Sequence, residues 1–259
     1  MENENTNKIC FSINNISKTF HYENGPVLDI DKLDIYAGEI TAVLGYSAAG
    51  KSTLMNLLAL LLGHDAKPGA EIHYCPSHYQ QPYSKLSSHQ KRKLRCEHFG
   101  FIFQNHHLVK HFSAYNNIMM PLRQKQTVGK HAKEIVAELL YSAGINRKIW
   151  NSLPATLSGG ESQRISVLRA IAHNPKVLFA DEPTGSLDPV TGDIVIKMLR
   201  EWYEKDKTRT IIVVTHNFNQ AYELASRFII FQNGKIVFDG RKGREISGIN
   251  DLFDKIQEL

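Results

Sequence analysis

The sequence is poor in cysteine and has no long apolar run, and both absences narrow what it can be. Cys10, Cys75 and Cys96 stand far apart with no CxxC pair, which argues against a disulfide framework or a zinc site and for reduced, buried thiols. The longest apolar stretch, Leu57 to Leu62, falls far short of the ~18 residues needed to cross a bilayer. Met1 to Lys8 carries Glu2 and Glu4 and no apolar segment, so neither a secretory signal nor a transit peptide is expected there and a cytosolic address follows. Charge is also modest: a net +5 over 259 residues, with a pI near 9.0, permits a basic face toward anionic lipid but implies no nucleic-acid partner. What is present is ordinary globular material, 42% hydrophobic and 22% charged, long enough to bury a sizeable core.

Ile9, Phe11 and Ile13 alternate with polar residues, and residues 27–35 continue in the same style, so the chain opens with half-exposed strands. A strand over 39–44 ends in Val43-Leu44 and meets a glycine loop, after which a helix is expected from Lys51 to about Leu62. Residues 67–84, rich in Pro, Tyr, His and Gln, read as loop with a short strand at 71–74. Helical periodicity returns at 113–122 and 128–143. From Gly160 onward the order is regular: helix to 172, strand 177–180, helix 190–203, strand 210–215, helix 218–225, then strands 228–231 and 235–238. Such alternation predicts an α/β fold with a mainly parallel sheet.

Two segments carry chemistry on their own terms. Gly45-Tyr46-Ser47-Ala48-Ala49-Gly50-Lys51-Ser52-Thr53 fits GxxxxGK[ST] between a strand and a helix. Amide N–H groups of such a loop ring a phosphate; Lys51 would reach the β- and γ-phosphates of ATP, and Ser52 would hold Mg²⁺. Farther on, the apolar strand 177–180 delivers Asp181 and Glu182 to its carboxyl edge, where ligands collect in parallel sheets. There Asp181 would orient Mg²⁺ through water and Glu182 would take a proton from the attacking water.

The segment Leu157-Ser158-Gly159-Gly160-Glu161-Ser162-Gln163-Arg164, opening a helix just before that acidic pair, resembles the signature motif of ABC ATPases. Asp181-Glu182-Pro183-Thr184-Gly185-Ser186-Leu187-Asp188 likewise resembles the Walker B and D-loop sequence of that family. The resemblance runs from Phe11 to about Asp239. It implies a RecA-like P-loop NTPase core, mainly parallel, with an antiparallel β subdomain and an α-helical signature subdomain near residues 105–165, all in one unit of 1–259 with a tail helix over 241–259. It also implies head-to-tail homodimers in which Ser158 and Gly160 act on the partner copy's γ-phosphate.

Other family positions carry over one at a time. Gln104 matches the Q-loop glutamine near Mg²⁺ or the attacking water, His216 the switch histidine, and Asp188 the D-loop aspartate at the dimer seam. Phe20, with Tyr22 as a nearby competitor, matches the aromatic that stacks on adenine. The resemblance further implies an integral membrane permease docking near Asn105 to Phe112, and a peripheral place on the inner face of the cell membrane. His106, His107 and His111 fall in that stretch and are read as lining a partner groove, since a zinc site needs further ligands in fixed geometry.

The sequence is most similar to ATPases of lipoprotein-release and macrolide-export systems, at Lys85-Leu86-Ser87-Ser88, Gly100 to Gln104 and Met119 to Leu122. An ABC protein acting on DNA or ribosomes fits poorly, for the span from Gly45 to Leu157 has no room for a long coiled-coil arm. A non-transport ATPase acting as a mechanotransmission or regulatory switch on a membrane partner stays open, as does a nucleotide-binding switch with little turnover. Tyr46, Ala48 and Ala49 stand where the family usually has Pro, Gly and Ser, and if position 48 needs positive φ the strain is about 1–2 kcal/mol. Ser162 and Ser226 also depart from the common glutamine and aspartate.

Overall fold

The structure, a computed structural model, describes residues 8–20, 26–76 and 81–257. Alternating strands β1 (Ile9–Thr19) and β2 (Pro26–Tyr36) pair antiparallel, and β4 (Glu71–Tyr74) joins the free side of β1, giving a three-stranded sheet of order β2-β1-β4. The second sheet contains β3 (Ile40–Leu44), β5 (Phe99–Ile102), β6 (Val177–Asp181), β7 (Thr210–Val214), β8 (Arg227–Gln232) and β9 (Lys235–Arg241). Its order is β5-β6-β7-β3-β8-β9, parallel except for the β9 edge.

Burial on both faces explains why β3 and β7 read as unbroken apolar runs instead of alternating ones. Val43, Val177, Phe179, Ile212 and Val214 face one core, shared with α1 (Lys51–Leu58) and the antiparallel sheet. Their neighbours Ala42, Leu44, Leu178, Ala180, Ile211 and Val213 face a second core, shared with α6 (Pro189–Glu204), α7 (Phe218–Leu224) and α8 (Ile249–Gln257). A third cluster joins α3 (Ala114–Gln124) and α4 (Gly129–Ser142) to one side of α5 (Gly159–Ile171). The parallel sheet thereby presents its carboxyl edge as the place where loops from all three layers meet.

Four sequence expectations are corrected. The helix after the glycine loop stops at Leu58, not Leu62, because Leu60 turns left-handed at φ 59. Leu61 N–H then reaches back to the Asn56 carbonyl and Leu60 N–H to Leu57, a Schellman closure with leucine in the usual glycine position. Helix α2 (Ser88–His98) has no counterpart in the sequence reading. Among the described residues the tail helix is Ile249–Gln257, starting later than 241 since the preceding residues finish β9 and turn. Finally, the thiols are free but not uniformly buried: Cys10 is, Cys75 is exposed, and Cys96 lies between.

Candidate nucleotide site

The glycine loop links the end of β3 to the start of α1 by sharp left-handed turns. Gly50 sits at φ 96, and a Cβ there would lie 2.6 Å from the Val27 carbonyl, so only glycine fits. Ala48 adopts φ 63, the left-handed conformation that the sequence flagged as costly. Ser47 and Ala48 are exposed, Gly45 and Gly50 are buried, and Thr53 is half-buried on α1. Helix α1 has no side-chain cap and no acidic residue in its first turn, an end whose leading N–H groups and dipole suit an anion.

Side chains converge on this loop from two strand ends. Lys51 is buried and its ammonium donates to the Gly45 and Tyr46 carbonyls, 2.7 Å each. Desolvation holds the lysine below its ordinary pKa, against the pull of Glu182 and Asp181. Ser52 Oγ donates to Asp181 Oδ1 at 3.1 Å, joining α1 to the end of β6. Burial raises the Asp181 carboxyl, with the Ser52 hydrogen bond opposing and Glu182 adding to the rise. A hydroxyl and a carboxylate side by side suit Mg²⁺, which takes one or two protein oxygens and draws the rest from phosphates and water. No group of three or more His, Cys, Asp or Glu able to hold a metal occurs among the described residues, as that mode of binding allows.

Glu182 follows at φ 46 with its N–H bonded to the Val214 carbonyl at 2.8 Å. His216 Nδ1 lies 2.8 Å from Glu182 Oε1, and Thr215 Oγ1 donates to Oε2 at 3.2 Å. Both carboxylate oxygens are therefore held while the group stays only half-buried. Gln104 is exposed on the turn after β5, beyond the register pair Ile102–Ala180, and so reaches the same sheet edge. Phe20, exposed at the end of β1, has Lys18 Nζ 5.7 Å from its ring. It adjoins the hairpin whose Val27 carbonyl abuts Gly50. Tyr22 lies outside the described residues.

The signature residues form a separate group. Ser158 caps α5 in a capping box, its hydroxyl accepting from Glu161 N–H while Glu161 accepts from Ser158 N–H and Oγ at 2.8 and 2.9 Å. These bonds hold the Glu161 carboxyl below its ordinary range. Gly159 faces open space, whereas a Cβ on Gly160 would come within 2.7 Å of Thr191 Cγ2. Packing on α6 thus demands glycine at 160 independently of any phosphate. Asp188 caps that same helix, accepting from Thr191 N–H at 3.0 Å.

A family model described as ABC transporter matches residues 28–185. The lipoprotein-releasing system ATP-binding protein LolD of Rickettsia bellii is 36% identical over 85% of this chain and 93% of its own length. The chain belongs to the ABC transporter family. It is accordingly a P-loop ATPase with the RecA-like α/β core and helical subdomain of that family. The macrolide export ATP-binding/permease protein MacB of Burkholderia thailandensis is 40% identical over 82% of this chain, which spans only 31% of that larger protein. Among solved structures, the ATP-binding cassette MJ0796, captured as a dimer in a post-hydrolysis state with ADP and phosphate, superposes with a TM-score of 0.79 at 29% identity, over 89% of this chain and 98% of its own.

Thr215 and Gln163 were not singled out in the sequence, yet each bonds to the Glu182 strand end, Thr215 to the carboxylate and Gln163 to the Pro183 carbonyl. Thr215 had a signal, its place beside His216 at the end of an apolar strand. Gln163 had only its membership of the signature segment.

Proposed function

We propose that this ABC ATPase drives a separate membrane-spanning permease, with two copies closing head to tail on shared nucleotide. Lys51 and the loop amides hold the triphosphate of ATP, and Phe20 stacks on adenine. Ser52, Asp181 and Gln104 face the Mg²⁺, which supplies charge neutralisation across the phosphate oxygens when bound. Glu182 takes a proton from water as its oxygen attacks the γ-phosphorus and the bond to the bridging oxygen breaks, giving ADP and phosphate. His216 orients Glu182 and contacts the γ-phosphate.

Ser158 and Gly160 of the partner copy complete the site, with Asp188 at the seam. Gly159, with open space before it, is the amide best placed to approach that phosphate. The permease docks near Asn105 to Phe112, which places the chain on the cytoplasmic face of the membrane. Names of the relatives support this reading, and among the described residues no helix is long and apolar enough to cross a membrane.

One observation carries the mechanism: a carboxylate held at both oxygens beside the residue that bonds the phosphate-loop serine. Replacing Glu182 by Gln keeps the shape and removes the base. Steady-state ATPase activity is expected to fall by about 10²-fold or more with the melting temperature unchanged. Parental turnover in that variant removes Glu182 as the base. A second reading, a nucleotide-gated switch with slow turnover, draws support from Ala48 at φ 63, and a Glu182→Gln effect small against an already slow parent favours it.

A further inference from the structure

Helix α5 carries a polar stripe where a core helix ordinarily carries apolar residues. Gln163, Ser166 and Arg169 recur every third residue, all three are buried, and all three are directed at His106 and His107. Ser166 Oγ and Arg169 Nη2 donate to the His106 carbonyl at 3.1 and 2.8 Å, and Arg169 Nη1 donates to the His107 carbonyl at 2.5 Å. His106 and His107 are both left-handed, at φ 59 and 46. Such backbone persists only where surrounding contacts fix it.

Gln163 is 1% exposed and its amide spans two elements. Its Nε2 donates to the Pro183 carbonyl, and its Oε1 meets His106 Nδ1. A carbonyl only accepts, so the amide orientation is fixed and His106 Nδ1 must carry the proton that closes the bridge. Pro183 directly follows Glu182, whose φ of 46 is strained for a residue before proline. The strand end is gripped on three sides: Glu182 N–H by Val214, Glu182 carbonyl by Gly185 N–H at 3.1 Å, and Pro183 carbonyl by Gln163. Next along, Thr184 Oγ1 donates to Gln220 on α7, the helix that follows His216.

We propose that His106 is a positioning residue for hydrolysis, fixing the Glu182 carboxylate through Gln163 and the Pro183 carbonyl. The segment assigned to permease docking is then joined to the base by one buried amide. Displacing residues 105–107 shifts the Pro183 carbonyl and with it the strained Glu182 backbone. The proposal rests on reading Glu182 as the base.

The test uses the full chain and steady-state ATPase kinetics. His106→Gly and His106→Asn both tolerate φ near 60, but only asparagine keeps a side-chain N–H donor at the Nδ1 position. His106→Gly is expected to lower kcat about threefold to tenfold with KM for ATP changed less than about twofold, and His106→Asn to restore most of the loss. Gln163→Glu, which sets a carboxylate oxygen against the Pro183 carbonyl, is expected to lower kcat at least as far. Adding His106→Gly to it is expected to lower kcat no further, because both act through one link. Parental kcat in His106→Gly, failure of asparagine to restore it, or additive losses in the double variant each overturn the relay. Glu182→Gln measured alongside separates the two readings: an inactive Glu182→Gln beside a parental His106→Gly refutes only the relay, whereas a parental Glu182→Gln refutes the base and the relay together.

Discussion

The two ends of the six-stranded sheet hold their charges in opposite ways. At the amino ends, Arg227 is buried and saturated: it grips both Asp239 oxygens at 2.7 and 2.6 Å and reaches the Asp34 carbonyl at 2.8 Å and Glu39 at 3.2 Å. Arg241 Nη2 lies 2.9 Å from the other Glu39 oxygen as an ion pair without hydrogen-bond geometry, and the Tyr36 ring lies 5.0 and 5.3 Å from the two guanidinium groups. Burial pulls the Arg227 pKa down, but Asp239 and Glu39 outweigh it and leave it above its ordinary value. At the carboxyl ends, Asp181 has one contact to Ser52, Glu182 has one neutral-hydroxyl contact to Thr215 and one to His216, Lys51 rests on loop carbonyls, and Ala48 and Glu182 sit in strained backbone. One end is built with partners that are costly to lose, and the other with partners that nucleotide, metal and water can replace.

The largest test of that contrast is Arg227→Met. It removes four hydrogen bonds of a buried guanidinium at once and leaves the Glu39 carboxylate only the Arg241 ion pair and the Thr41 hydroxyl, so stability measured by urea unfolding should fall by about 3–5 kcal/mol while ATPase activity per folded molecule holds. Lost activity with retained stability would erase the division between the two ends. Gly160→Ala is expected to cost less, about 1–3 kcal/mol, by driving a methyl into Thr191. Adding Thr191→Ser should recover most of that stability, because it removes the methyl that the new Cβ meets. No recovery would mean that this glycine serves something other than packing. Smallest is Ala48→Gly, which relieves about 1 kcal/mol of left-handed strain that is present without nucleotide and should raise stability by up to that amount in urea unfolding. An unchanged or lower stability would show that alanine is at ease in this loop.

These contrasts also explain what the sequence disclosed. The parallel sheet was legible because 177–180 and 210–215 are apolar on both faces, and the phosphate loop because backbone geometry there demands particular residues. Helix α2 was not, since Leu94 is its only buried residue and a lone apolar position leaves no period to detect. Its one local signal was the capping box of Ser87 and Gln90. Residues joined by chain order, such as Asp181 and Glu182, stood out directly as candidates. The link from His106 through Gln163 to Pro183 spans three distant segments, and only the fold brings them together. Asp188 and Gly160, known from the sequence only as candidates for the dimer seam, prove also to be the cap and the packing partner of α6.

We propose that the exchangeable end is half of a composite site, closed by the Ser158–Gly160 helix start of a second copy. Sedimentation velocity of the Glu182→Gln variant with Mg²⁺ and ATP tests it most directly. A dimer is expected that forms with ATP, dissolves with ADP, and is lost when Ser158 is also replaced by Arg. A species that stays monomeric with ATP at every concentration would contradict it.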